Sequence, residues 1–337
     1  MTDSAPDLSV ILVNWNTADL LIRALESLQA DALSSGIALE LVVSDNGSRD
    51  DSVARARSAF PRAKVLENGH NLGFARAVNR GLAVATGRHV LLFNTDARIE
   101  PGGLASALDT LAHHPEIGVL GAALMHADGS PQNVLAPFPS LATELVNKSL
   151  LRKLHPAKYR QKVGAQETDL VEGDTIVGAF LLIRGEALAK VGPLDERFFF
   201  FFEETDWCYR VQQAGFRVAV DPRVRVFHGQ GESSRPVLSE TRIEYYRSRY
   251  RYFQKHFRSF RTVILFEALL LKLNIEVLSA LVMNLLSLGR SPRWKNRLRV
   301  VAILLAWHIR GCPRSWGLEG KFLPADRRGA DREGKSD

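Results

Sequence analysis

The first hundred residues alternate between short apolar runs and amphipathic stretches, and three of the runs stop at a polar cluster. The runs "LSVILV" (8–13), "LELVVS" (39–44), "AKVLEN" (63–68) and "RHVLLFN" (88–94) have the length and β-branched content of buried strands. Between them, residues 19–32 repeat Leu21, Leu25 and Leu28 at helical spacing, Asp50 or Asp51 can cap a short helix ending before Pro61, and "FARAVNRGLAVA" (74–85) reads as a helix with Gly87 just past its end. Strands alternating with helices predict a parallel sheet with right-handed crossovers. Ligands of such sheets bind beyond the carboxyl ends of the strands, where "NWNT" (14–17), "DNGS" (45–48) and "NTD" (94–96) stand.

The alternation continues less regularly. Residues 101–114 suggest a helix, "IGVLGAALM" (117–125) a strand, and "DTIVGAFLLIRGEAL" (174–188) a strand entering a helix. Pro131 to about Asp169 reads as an irregular insertion, and "FRVAVDPRVRVFH" (216–228) as two short strands around Pro222. At 337 residues, 46% hydrophobic and 24% charged, the chain is a folded globular protein of one large or two ordinary domains. Cys208 and Cys312 lie far apart without a CxxC pattern, which argues against a disulfide framework or a zinc site and fits a reducing cytosol. The start "MTDSAPDLSV" lacks the basic-then-apolar order of a signal peptide.

The charge is unevenly spread. Residues 1–239 hold 24 Lys and Arg against 28 Asp and Glu, a formal charge of −4, while residues 240–337 hold 20 against 9, a charge of +11. In that last part, 240–261 alternate Arg and Tyr on an expected helix, and 262–288 are strongly apolar, interrupted by Glu267, Lys272 and Glu276. The longest uncharged run, Val277–Gly289, has 13 residues, short of the ~20 that span a bilayer. A second apolar run, "VVAILLAWHI", follows the basic block "RSPRWKNRLR". Helices lying in a membrane interface, drawn to anionic lipid through residues 240–310, or packed on each other, are the expected arrangement. Nucleic acid is not an expected partner, since charge alone would support it. Residues 324–337 read as a solvated tail.

Several clusters carry chemistry. Asp45 at a strand end can accept the N3–H of uracil or thymine, beside the Asn46-Gly47-Ser48 turn. Gly69 and Gly73 lead into a helix whose N-terminal end suits phosphate or sugar hydroxyls, with Arg76 in reach of a diphosphate. This is not a GxGxxG dinucleotide turn. Asp96, preceded by Asn94 and Thr95, is a candidate ligand for Mg²⁺ or Mn²⁺, with His228 as its second ligand. The segment "FFFFFEETDWC" (198–208) drives five phenylalanines into Glu203, Glu204 and Asp206. Such a wall should raise a carboxyl pKa, and Trp207 offers a flat face to a sugar ring.

Eight stretches stand in the order of one known family: "VILVNWNT", "VVSDNGSRDDS", "NLGFARAVNRGL", "LLFNTDARIEPGGL", "VGAFLLIRGEAL", "VGPLDERFFFFFEETDWCYRVQQAGFRV", "VRVFHGQGES" and "SRYRYFQKHF". Over residues 8–257 the chain resembles an inverting glycosyltransferase of the GT-A family 2, in its rhamnosyltransferase-like branch. The resemblance implies a GT-A fold, a mixed and mostly parallel α/β sheet flanked by helices, with a donor half at about 8–100 and an acceptor half at about 101–239. A helical, membrane-associating extension at 240–323 and the tail complete the expected division. It implies a donor-binding set of Val13, Asn14, Asn16, Asp45, Asn46, Gly73, Arg76, Asn79, Asn94 and Thr95. Asp96 and His228 would hold the metal, Gly178, Ala179 and Trp207 would line the acceptor side, and Glu204 would be the general base. Glu203 and Asp206 are its neighbours, Asp206 being the reserve. Here Asn94 replaces the first Asp of the family's DxD motif, and Glu204 the usual Asp. The implied reaction moves a sugar, L-rhamnose from dTDP-L-rhamnose, to a glycan or lipid-linked glycan at the cytoplasmic membrane face. A non-catalytic nucleotide-sugar-binding protein that docks to membranes is the alternative.

Overall fold

The computed structural model describes residues 5–164, 166–229 and 238–322. Its elements in chain order are β1 (Leu8–Asn14), α1 (Ala18–Ser34), β2 (Leu39–Asp45), α2 (Ser52–Ala59), β3 (Lys64–Glu67), α3 (Phe74–Leu82), β4 (His89–Phe93), β5 (Ala97–Ile99), α4 (Gly103–His113), β6 (Ile117–Met125), β7 (Leu135–Ala136), α5 (Leu141–Leu145), α6 (Lys148–Leu154), β8 (Val171–Glu172), β9 (Thr175–Ile176), β10 (Phe180–Ile183), α7 (Gly185–Val191), α8 (Glu203–Gln213), β11 (Arg217–His228), α9 (Leu238–His256), α10 (Ser259–Leu286), α11 (Pro292–Ile309) and α12 (Gly317–Phe322). The chain forms two compact units that interleave in sequence. One comprises residues 1–138, 149–196 and 203–235, the other residues 139–148, 197–202 and 236–337. Two short segments before the expected break near residue 239 thus group with the second unit, one of them holding the whole phenylalanine run.

In the first unit the sheet order is β3-β2-β1-β4-β10-β6-β11-β5, with β8 on β11. The strands from β3 to β4 are parallel, as the alternation predicts, and β11 is parallel to β6. β10 runs antiparallel to both β4 and β6, so its amino-terminal end lies at the carboxyl end of β4. That reversal brings the chain before Phe180 to the same sheet edge as Asn14, Asp45 and Asn94. Helix α1 covers the sheet with Leu21, Leu25 and Leu28, all fully buried, each stabilising the fold by about 1.5–3 kcal/mol.

Two sequence expectations change. Helix α3 ends at Leu82 with Ala83 as its C-cap. Gly87 lies beyond it, against β1, where a Cβ would stand 2.4 Å from the Ser9 amide nitrogen, so close backbone approach and not helix termination demands glycine there. The two strands around Pro222 are one strand, β11, whose register with β6 breaks between Asp221 and Arg225. Proline supplies no amide to the ladder, and a bulge accommodates it. The buried Asp221 holds that bulge by accepting from Thr110 and Arg223.

The second unit is helical. Its core gathers Phe198 and Phe202 with Tyr246, Tyr250, Tyr252, Phe253, Leu265, Leu269, Leu273, Leu304 and Trp307. The Arg/Tyr stretch turns inward on α9. Arg247 and Arg249 are buried and paired with Glu244 and Glu144. Helix α10 has 28 residues with a mean hydropathy of 1.8 in its most apolar stretch, long and apolar enough by length and composition to cross a membrane. It buries Leu265, Leu269, Leu273 and Ala280 and leaves Leu271, Ile275, Leu278 and Leu285 about two-thirds exposed.

Candidate active site

The carboxyl ends of β1 and β2 are tied by one side chain. Asn14 is fully buried, and its Nδ2 donates to Asp45 Oδ1 at 2.7 Å, Ser52 Oγ at 2.9 Å and Ser48 Oγ at 3.0 Å. Its Oδ1 accepts from Thr17 Oγ1 at 2.7 Å, and the Thr17 and Thr95 hydroxyls lie within hydrogen-bond distance at 3.1 Å, which links β1 to the turn after β4. Asp45 closes the turn after β2. Oδ2 accepts from the Gly47 and Ser48 amides at 3.1 and 2.9 Å, and Oδ1 accepts from Ser48 Oγ at 2.5 Å as well as from Asn14. The carboxylate's acceptor positions are thus engaged within the chain, and a base N3–H would share an oxygen with them. Gly47 has φ +76°, and a Cβ there would meet His70 Cα at 2.7 Å. Asn16 takes φ 55°, which asparagine tolerates, and bonds Ser48 Oγ and the Arg49 amide.

The other donor-side candidates divide. Asn46 donates to the Gly73 carbonyl and accepts from Asn68, fixing the start of α3. Val13 packs on the core. Asn79 is spent on the Leu194 backbone, accepting from its amide at 3.0 Å and donating to its carbonyl at 2.9 Å. Arg76 stands 3.6 Å from Glu196.

At the ends of β4 and β11, His228 Nε2 lies 3.4 Å from Asp96 Oδ1 and 3.4 Å from the Asn94 amide nitrogen. All but the edges of Asp96 and His228 are buried. Gln132, unmarked in the sequence, sets the histidine's state. Its Nε2 donates to the carbonyls of His228 at 2.7 Å and Met125 at 3.2 Å, which leaves Oε1 to accept from His228 Nδ1 at 3.0 Å. A proton fixed on Nδ1 puts the lone pair of the neutral ring on Nε2, towards Asp96. Nε2 thus faces the Asp96 carboxylate and the Asn94 side-chain amide, each at 3.4 Å, and its lone pair and the carboxylate oxygen can share a cation between them. The donor set therefore fits a divalent cation completed by ligand oxygens. Among the described residues no three His, Cys, Asp or Glu side chains cluster to hold a metal by themselves. Gln132→Leu is expected to weaken Mn²⁺ binding about 10–100-fold, read by titrating Mn²⁺ paramagnetic resonance in the presence of a nucleoside diphosphate.

On the acceptor side, Glu203, Glu204 and Asp206 occupy the first turn of α8. The helix dipole favours their charged forms there by about 0.3–1 kcal/mol. For Glu204 burial outweighs this and raises the carboxyl above its ordinary value of 4.5. Its Oε2 is buried and has no hydrogen-bond partner among the described residues. Its Oε1 would lie 4.0 Å from a Cβ on Gly178, so the group sits beside the Gly178-Ala179 approach to β10. Ala179 is buried, and its carbonyl accepts from the Asn94 amide at 3.2 Å.

Two expectations around α8 are corrected. Asp206 is fully buried in an ion pair with Arg210 Nε at 2.9 Å, and Arg210 also donates to Val191 and Pro193 carbonyls. It holds the helix in place and is not a spare base. Trp207 is 1% exposed and gives its indole N–H to the Gly192 carbonyl at 2.8 Å, so its ring belongs to the core and not to a sugar platform. Phe198 and Phe202, at the two ends of the phenylalanine run, belong to the second unit's core, with Phe201 packed against it. The chain enters α8 through two consecutive left-handed residues, Phe201 and Phe202, each at φ 71°. Each costs on the order of 1–3 kcal/mol for a non-glycine residue.

Comparison with known proteins places this arrangement in a class. A mannosyltransferase of Pyrobaculum calidifontis, solved with GDP-Man and Mn²⁺, aligns over 91% of this chain and 87% of its own at 17% identity and a TM-score of 0.53. GalNAc-T7, solved with UDP, GalNAc and Mn²⁺, aligns over 67% of this chain and 44% of its own at 16% identity and a TM-score of 0.50. The fold is that of the GT-A glycosyltransferases. Residues 9–188 match the sequence profile of glycosyl transferase family 2, and the chain belongs to that family. It is 29% identical over 249 residues to the N-acetylglucosaminyl-diphospho-decaprenol L-rhamnosyltransferase of Mycobacterium tuberculosis, covering 69% of this chain and 78% of that protein. A low-salt glycan biosynthesis hexosyltransferase of Haloferax volcanii is 25% identical over 66% of this chain and 67% of its own.

Proposed function

We propose that this glycosyltransferase moves L-rhamnose from dTDP-L-rhamnose, with inversion, to a hydroxyl of a glycan carried on a lipid, at the inner face of the cell membrane. The observation that carries the reading is Glu204, a buried carboxyl with an unpartnered oxygen beside Gly178. The β10 reversal brings Gly178 to the sheet edge that also holds Asn14–Asp45 and Asp96–His228. Glu204 takes the proton of the acceptor hydroxyl while that oxygen attacks the anomeric carbon. The bond from the anomeric carbon to the donor's diphosphate breaks on the opposite face, and dTDP leaves. A divalent cation at Asp96 and His228, when bound, neutralises diphosphate charge. The raised pKa of Glu204 keeps the base strong enough to accept that proton, and activity should rise with pH as it ionises.

The mycobacterial relative supports both the sugar and a diphospho-lipid carrier. The exposed apolar face of α10 supports attachment to the membrane surface through residues 240–310. The test is a donor titration of the full-length protein with dTDP-rhamnose, UDP-glucose, UDP-galactose and GDP-mannose, in Mn²⁺ and then in EDTA. Binding of dTDP-rhamnose in Mn²⁺, lost in EDTA, is expected. Preference for another donor would reassign the sugar, and metal-independent binding would remove Asp96 and His228 as ligands.

A further inference from the structure

The second unit contains two cavities rich in cations, and they differ in how their charges are used. The larger, about 610 Å³, is walled partly by Arg247 and Arg251. Those guanidinium groups are already bound to Glu244, Glu319 and the carbonyls of Pro313 and Trp316. The smaller, about 410 Å³, is lined by Lys148, Arg242, Arg249 and Lys272 against Glu144 and Glu276, a formal excess of two positive charges.

Among the described residues, pairing leaves two of these cations, Arg242 and Lys272, without a carboxylate. Arg249 lies 4.7 and 4.9 Å from the ring centres of Tyr245 and Tyr246, with its Nε 3.1 Å from Glu144. Glu276 is shared with Arg297 at 4.0 Å. Arg242 and Lys272 are exposed and have no carboxylate within ion-pair distance among the described residues. Tyr245 and Tyr246 add hydroxyls to the same wall. Lys272 lies on α10, between Leu271, 63% exposed, and Ile275, 60% exposed, at the edge of that helix's uncovered apolar stripe. One helix thus joins a cationic cavity to an apolar surface that continues through Leu278 and Leu285.

We propose that this cavity binds the diphosphate of an isoprenoid-diphosphate-linked acceptor, with the prenyl chain running along the exposed face of α10. The inference rests on the reading above that the acceptor is lipid-linked. A diphosphate esterified at both ends carries two negative charges, matching the cavity's excess. The apolar stripe beside Lys272 accounts for a chain that free phosphate lacks.

The test measures binding by full-length protein in neutral phosphatidylcholine nanodiscs, with geranylgeranyl diphosphate, geranylgeraniol and inorganic diphosphate as probes. The prenyl diphosphate is expected to bind at least tenfold more tightly than either of the others. The Arg242→Glu, Lys272→Glu double variant should lose that preference tenfold or more while keeping the wild-type circular dichroism and melting profile. The single variant Lys272→Gln, a milder surface change, should lose part of it. Equal affinity for the alcohol and the diphosphate, or an unchanged preference in the double variant, overturns the proposal. So does displacement of the probe by phosphatidylglycerol vesicles in proportion to their charge, which would make the cavity a general headgroup site. The readout is binding and not turnover, so failure of sugar transfer by the wild-type protein would count against the functional reading alone.

Discussion

Glu204→Gln is expected to lower kcat by about 10²–10⁴-fold with donor binding retained, and to melt at a higher temperature than the wild-type protein at neutral pH. Both effects have one cause. Burial raises the Glu204 carboxyl above its ordinary value of 4.5, so the folded state binds a proton more tightly than the unfolded chain. Stability is then lost as pH rises from about that ordinary value through the raised folded one. Glutamine has no charge to bury, and its variant should lack this slope. The relief is that of the charge alone, since the glutamine amide inherits the unpartnered position. Rate measurements and thermal melts between pH 4 and 9 check both halves. Wild-type turnover in the variant would remove Glu204 as the base, and a lower melting temperature would show that its carboxylate supports the fold.

Arg247→Met should destabilise the protein by about 3–5 kcal/mol. Arg247 Nη1 lies 2.7 Å from Glu244, which is fully buried, and its other nitrogen bonds the carbonyls of Pro313, Arg314 and Trp316. Methionine would keep much of the packing against Trp307 but leave Glu244 charged in a dry interior. Burial already raises Glu244, and Arg247 opposes that rise. Without the arginine its pKa climbs further. The variant's deficit should therefore be small in acid, where Glu244 is protonated in both proteins, and grow as pH rises past the wild-type group's titration. Denaturant unfolding at several pH values reads this directly, and a pH-independent deficit would assign the loss to packing instead.

Local pattern carried the donor half of the fold. The ends of β1, β2 and α1 lie within about two residues of the periodicity reading because each apolar run is cut off by a polar cluster with a job in the turn. Asp96 and His228 each stand out in the sequence as a polar group beyond an apolar run; in the fold Asp96 lies in the turn between β4 and β5, and the antiparallel match of β5 with β11 sets His228 opposite Ala97. Gln132 was not readable. It lies in an irregular stretch without a motif, and its role arises from two carbonyls that only the folded sheet brings together. Trp207 misled for a related reason. Composition says that a ring is apolar, but not whether a substrate or the protein's own core will cover it. Asp206 could have been discounted from the sequence, because Arg210 follows four residues later on the same helix face.

The interleaving of the two units bears on how such a chain can be altered in evolution or in the laboratory. The helical unit is not an appendage that a stop codon near residue 239 would remove cleanly. Such a cut would leave behind residues 139–148 and 197–202, with Phe198 and Phe202 deprived of the aromatic core they help to build. The second of those orphaned segments ends one residue before the helix that bears Glu204. Grafting or exchanging the C-terminal third between relatives would therefore have to carry three pieces of sequence together, which recombination at a single crossover cannot do.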